Sequence, residues 1–186
     1  MNGTNCPRLS GICSWITVGL ITCCTIGLVV DRGAAEELPR QGVLPLSLAT
    51  KAAHAAVDTC LADGYRVSAT VVDQGGNIRA VLRQDGAGPH TLESSRKKAY
   101  SSASLRQPTE KLAALIAKMP ALQGLQHMNE HILLLAGGLP IELHGEVVGG
   151  IGVGGAPGGH LDVACAQAGL NSIGAGSKMP PHESDR

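Results

Sequence analysis

Between residues 47 and 174 the spacing of apolar positions changes from stretch to stretch, and each change marks an element. Ala49, Ala52, Ala53, Ala56, Val57 and Cys60 recur at helical spacing. They predict a helix over 47–63 that Ser47 can cap and that Asp63-Gly64 ends. Residues 66–72 alternate as a strand does, Asp-Gln-Gly-Gly-Asn at 73–77 makes a hairpin turn, and 78–83 returns antiparallel. A loop follows at 85–89. The helical pattern then resumes over 90–106, until Pro108 interrupts it. Thr109 can cap another helix over 110–119, with Leu112, Leu115 and Ile116 in period. Residues 120–131 follow no period, and 132–136 reads as a short buried strand.

The stretch 137–171 is the densest in signals. Two β-prone runs, 139–143 and 146–153, are joined by His144-Gly145, a connection with glycine where positive φ is easiest. Gly149, Gly150 and Gly152 break the second run. Glycine weakens a strand, so its presence points to a bulge, or to the close approach of another backbone or a ligand. Ala156-Pro157-Gly158-Gly159 leads into a last helix whose first turn carries Asp162, and Gly169 is placed to stop it. The order is α-β-β-α-α-β-β-β-α. Hairpins outnumber βαβ units, so the expectation is an α/β (α+β) domain with a mainly antiparallel sheet of about five strands and flanking helices.

Composition sharpens this picture at the N-terminus. Arg8 precedes an almost charge-free run, 9–30, followed by Asp31-Arg32 and Gly33-Ala34-Ala35. That is the layout of a signal peptide over 1–35; the run is also long enough to span a bilayer, so an uncleaved anchor is the alternative. Either route predicts a periplasmic or extracellular protein, touching a membrane only through this segment. Residues 36–45 then form a linker, 46–174 the domain and 175–186 a loose tail. Four cysteines lie in the leader, and only Cys60 and Cys165 follow it. In an oxidising compartment these two can pair if geometry allows; the plainer expectation is two small buried thiols on helices. Beyond the leader the aromatic residues are Tyr65 and Tyr100, so the core must be aliphatic. Fifteen basic and fifteen acidic residues balance, with no basic stripe interleaved with aromatics, which argues against a nucleic-acid partner.

Two motifs invite specific chemistry and lack its context. Gly150, Gly152 and Gly155 satisfy G-x-G-x-x-G, but a dinucleotide site needs that pattern to open a helix in a βαβ unit, not to lie within a hairpin strand. His127 to His131 matches H-x-x-E-H, which binds zinc only when a helix puts both histidines on one turn. The segment follows Pro120 and Gly124, where that helix is doubtful; a weaker metal site from the two histidines is the milder alternative. The loop at 154–159 offers a third possibility. Free backbone N–H groups ahead of a helix can hold a small anion, which makes Gly158, Gly159 and Asp162 anion-binding candidates.

VVDQGGNIRAVLRQDGAGPHTLESSRKKAYSSASLRQPT and GGLPIELHGEVVGGIGVGGAPGGHLDVACAQAGL together resemble the GlcG/HbpS family, also called the haem-degrading or DUF336 family. The resemblance spans nearly all of 46–173. It implies a PAS- or profilin-like domain that commonly forms homo-oligomers, with haem held in a pocket between subunits in some members. One branch ligates the iron through a histidine on the first helix, where His54 lies; His90, opening the second helix, is the other candidate, and imidazole is a common axial ligand. Arg96 and Lys97, with Lys98 beside them, are expected near the haem propionates. The expected function is therefore an exported haem- or tetrapyrrole-binding protein. The alternatives are a small organic-acid-binding enzyme or sensor using the glycine loop, and an oligomeric accessory subunit. Haem degradation is possible by resemblance, but no residue set identifies it.

Overall fold

A computed structural model describes residues 40–176 of the chain; the predicted leader and most of the predicted tail lie outside the described residues. The elements are α1 (Leu46–Ala62), β1 (Ser68–Asp73), β2 (Ile78–Arg83), α2 (His90–Leu105), α3 (Thr109–Lys118), a 3₁₀ helix (Pro120–His127), β3 (Gly138–Leu143), β4 (Glu146–Gly154) and α4 (Gly159–Ser172). The strands form one antiparallel sheet in the order β2-β1-β4-β3. Among the described residues the sheet therefore has four strands where the sequence suggested about five. Residues 132–136 are not one of them, because their backbone groups find partners elsewhere. The Leu133 N–H donates to Ser101 Oγ (2.8 Å) and the Leu135 carbonyl accepts from Thr109 Oγ1 (2.6 Å). Ile132 and Leu134 instead point into a small separate cluster with Leu112.

The two faces of the sheet are built differently. One carries Ala69, Val71, Leu139, Ile141, Ile151 and Val153 against α1 and α4, an aliphatic core with Tyr65 packed at its edge. The helical face predicted for α1 is the buried one, residue for residue. α1 begins at Leu46 with Pro45 at the cap position, so Ser47 sits inside the first turn rather than capping it. Leu44, within the predicted linker, is fully buried in this core, and the Gly42 N–H donates to Glu146 Oε1 (3.2 Å). Gly169 does not stop α4. It lies within the helix, where a Cβ would come 2.7 Å from the Ala52 carbonyl of α1. Its missing side chain lets the two helices touch, and Gly174 (φ +67°) follows the true end.

Cys60 and Cys165 form a disulfide between these same helices (S–S 2.07 Å, Cα–Cα 5.6 Å). The expectation of two separate buried thiols is thereby corrected. Sequence spacing puts both cysteines on buried helical faces, but only the α1–α4 packing brings them within bonding reach.

The other face of the sheet packs on α2, through small and polar residues, with Thr109 of α3 against Gly138 at the start of β3. Ser68 and Thr70 of β1 meet Thr91 and Ser95 of α2 hydroxyl to hydroxyl (2.7 and 2.8 Å). A Cβ at Gly152 would fall 2.1 Å from the Ser95 carbonyl, and one at Gly150 2.4 Å from the Ala99 carbonyl. The backbone approaching the glycine-broken strand is that of α2. Gly150 and Gly152 are thus occupied in packing within an antiparallel strand, and the dinucleotide pattern does not form the strand-to-helix turn that cradles a phosphate.

Candidate functional site

Helical rotation divides the cationic run on α2. Lys98 turns inward and is 5% exposed; its ammonium donates to Asp162 Oδ2 (2.8 Å) and to the Val153 carbonyl (2.9 Å). Asp162, at 3% exposure, accepts through Oδ1 from the Ala156 N–H (3.1 Å). Gly137 (φ +116°) closes over the pair, where a Cβ would stand 2.9 Å from the lysine nitrogen. Burial pushes the Asp162 carboxyl above its ordinary value, opposed by the Lys98 charge and by hydrogen bonds from Lys98 and the loop N–H groups of Ala156 and Gly155. A buried, hydrogen-bonded ion pair thus ties α2 to α4 and the end of β4. Lys98 is a part of the framework, which removes it from the set expected to meet a ligand.

The outward side of α2 carries different chemistry. His90 and Glu93 are exposed, while Arg96, Lys97 and Tyr100 are half-buried. Arg96 holds Glu93 through Nε and Nη2 (3.0 and 2.6 Å), and Lys97 Nζ lies 3.8 Å from the same carboxylate. The Arg96 hydrogen bond holds the Glu93 carboxyl below its ordinary value, and Glu93 in turn raises Arg96. Arg96 Nη2 also stands 3.1 Å from His131 Nδ1. A guanidinium can only donate, so Nδ1 accepts and the His131 proton sits on Nε2. Tyr100 packs edge-on to that imidazole, with ring centroids 5.3 Å apart. Along the helix His90 and Lys97 are two turns apart, about 10 Å.

His54 is exposed on α1, in the layer on the other side of the sheet. A single iron bound within one chain can therefore meet His90 or His54, but not both. Gly158 and Gly159 stand at the start of α4, as expected, with the Gly158 carbonyl accepting from the Leu161 and Asp162 N–H groups (3.0 and 3.3 Å). The N–H groups of the loop before them already face a carboxylate, that of Asp162. His127 ends a 3₁₀ helix and His131 lies in the following turn, so the H-x-x-E-H residues do not share an α-helical turn. Among the described residues, no three His, Cys, Asp or Glu side chains gather in a way that could hold a metal ion.

Two associations escaped sequence reasoning. Lys98 and Asp162 are 64 residues apart, and Arg96 and His131 are 35 apart. Neither separation has a period that local pattern can read. Two hints existed: an acid in the first turn of a helix, and a lysine preceded by two residues of like charge, each invite a partner.

The described residues form a small α/β module whose α2 is tied to the sheet and to α4 by a buried ion pair and presents a histidine and two cations on its outer side. Comparison with known proteins then places it. The profile described as "Haem degrading protein HbpS-like" matches residues 44–171, and the chain belongs to that family. A crystal structure of a double mutant of HbpS from Streptomyces reticuli is 44% identical, covering 74% of this chain and 91% of that one (TM-score 0.68). ORFY of Klebsiella pneumoniae is 30% identical, covering 77% and 98% (TM-score 0.70). An uncharacterized 15.0 kDa protein from the dhaT-dhaS intergenic region of Citrobacter freundii is 36% identical over 113 residues, which is 60% of this chain and 80% of that protein. A PduOC:heme complex shares the fold at 23% identity (TM-score 0.68, covering 74% and 100%).

Proposed function

We propose that the protein is an exported haem-binding module whose ligand lies against the outward face of α2. The observation that carries this reading is the placement of His90, Arg96 and Lys97 together on that face, with about 10 Å of helix between the imidazole and the lysine. An exposed imidazole can ligate iron, and the two cations can take carboxylates through charge-assisted hydrogen bonds. The donor set thus fits a tetrapyrrole bearing an iron at its centre and carboxylates at its edge. Such a ligand would supply the iron chemistry when bound; His90 would hold the iron, and Arg96 and Lys97 would hold the carboxylates. Glu93 engages both cations and would have to yield part of its hold on them. His54 is the alternative ligand, in the opposite layer.

Membership of a family described as haem degrading, and the haem complex formed by a protein of the same fold, support the choice of ligand. One helix face buries little of a flat ligand, whereas binding pockets cover most of theirs. A second copy of the chain completing the pocket is therefore part of the proposal. Export is supported by the signal-like pattern of 1–35 and by the Cys60–Cys165 disulfide, a bond that persists in oxidising compartments. The reading is one of capture; a bond-breaking step is not assigned to any residue. The test is a haemin titration of the full chain followed by absorbance, alongside Arg96→Gln/Lys97→Gln. Saturable binding, weakened roughly tenfold or more in the double variant, is expected for two lost charge-assisted contacts. Non-saturating signal from the wild type, equal to that of free haemin, would end the haem reading.

A further inference from the structure

α3 carries a second, chemically different surface. A groove of about 310 Å³ runs along it, lined by Gln107, Lys111, Leu112, Ala114, Leu115 and Lys118. Residues 111, 115 and 118 fall at i, i+4 and i+7 and so share one side of the helix. Lys111 and Lys118 stand about 10 Å apart along the axis, with Leu115 between them. Leu115 is 40% exposed, while Leu112 at the base is 8% exposed and belongs to the small cluster with Ile132 and Leu134. Neither lysine has an ion-pair partner among the described residues. This is an apolar floor with two uncompensated cations at its rim.

The lining contains no ring, so it offers little to a flat ligand and suits a flexible aliphatic one. Its volume corresponds to roughly ten water-sized groups. The cations select an acid over an amine. We propose that this groove binds a medium- or long-chain carboxylate, its alkyl tail on Leu112, Ala114 and Leu115 and its head beside Lys111 or Lys118. The occupant is the monomeric acid in solution. The proposal is independent of the haem reading, since it uses another helix and none of the α2 residues.

The experiment is calorimetric titration of the full-length protein with dodecanoate below its micellar range. Dodecyltrimethylammonium, of equal tail and opposite charge, serves as the control. One saturable site for the acid and none for the amine is expected. Lys111→Glu/Lys118→Glu should weaken the acid by roughly tenfold or more, two exposed charges being reversed. Leu115→Gln, on the exposed side, should weaken it similarly, with far-ultraviolet dichroism and melting unchanged in both variants. His90→Ala should bind the acid as the wild type does. The proposal is overturned by equal uptake of acid and amine, by full affinity in Lys111→Glu/Lys118→Glu, by loss of binding in His90→Ala, or by attachment only to vesicles of anionic lipid.

Discussion

Replacing Lys98 by Met tests how the α2 layer is held. The substitution keeps the unbranched apolar stem and removes the ammonium that meets Asp162 at 2.8 Å and the Val153 carbonyl at 2.9 Å. Asp162 is then left buried at 3% exposure with only loop N–H groups as partners. Breaking one side of a buried pair costs about 3–5 kcal/mol, because the remaining charge is uncompensated. Against a typical total stability of about 5–15 kcal/mol this is a large fraction. The cost depends on pH with a definite sign. Burial already sets the Asp162 carboxyl above its unfolded value, and removing the opposing lysine raises it further. The folded state therefore binds the proton more tightly than the unfolded chain. Its contribution is fully present below the ordinary carboxylate range and is lost as pH rises through the raised value. In Lys98→Met the deficit should be largest at pH 7.5 and should shrink at pH 4.5. Lys98→Met/Asp162→Asn, which carries no buried charge, should recover most of the loss at pH 7.5. Urea unfolding followed by circular dichroism at both pH values measures all three proteins. A Lys98→Met protein within about 1 kcal/mol of wild type at pH 7.5, or a deficit independent of pH, would refute the reasoning.

Three further variants probe the packing. Cys60→Ala/Cys165→Ala opens a link spanning 105 residues and should cost about 2–5 kcal/mol, read as a lower denaturation midpoint that matches reduced wild type. An unchanged midpoint would mean the α1–α4 contact does not need the bond. Gly152→Ala forces a Cβ to 2.1 Å from the Ser95 carbonyl, so α2 must shift off the sheet at a cost of about 3 kcal/mol or more, whereas Gly145→Ala, with open space around it and positive φ, should cost only about 1 kcal/mol in the same assay. Equal losses at the two sites would remove the close-approach account of the glycine strand.

Much of the fold was legible because its signals are local. Ala49, Ala52, Ala53, Ala56, Val57 and Cys60 show their buried face by spacing alone, and His144-Gly145 announces its turn by residue type. The glycines of β4 were readable as a place of close approach, while what approaches them was not. The helix that fills the space begins some 60 residues earlier in the chain. Gly169 misled for the same reason. A glycine near a helix end usually stops it, and here a tertiary contact with Ala52 outweighs the local preference. Residues 132–136 have the continuous apolar run of a short buried strand, but Ser101 and Thr109 take their backbone groups. The candidate site was legible as types of residue more than as an arrangement. Helix rotation separates Lys98 from Arg96 and Lys97, and the sheet separates His54 from His90. The disulfide lay beyond spacing altogether, since both cysteines read equally well as buried thiols.

The central claim is that haem is held on the α2 face, and the most direct measurement compares His90→Ala with His54→Ala in a haemin titration of the full chain. The account predicts a saturable, shifted Soret band in wild type and in His54→Ala, with the band displaced or lost in His90→Ala. A band altered only by His54→Ala would move the ligand to the opposite layer and contradict the account. A band that neither substitution alters would exclude both imidazoles as the iron ligand and contradict it as well.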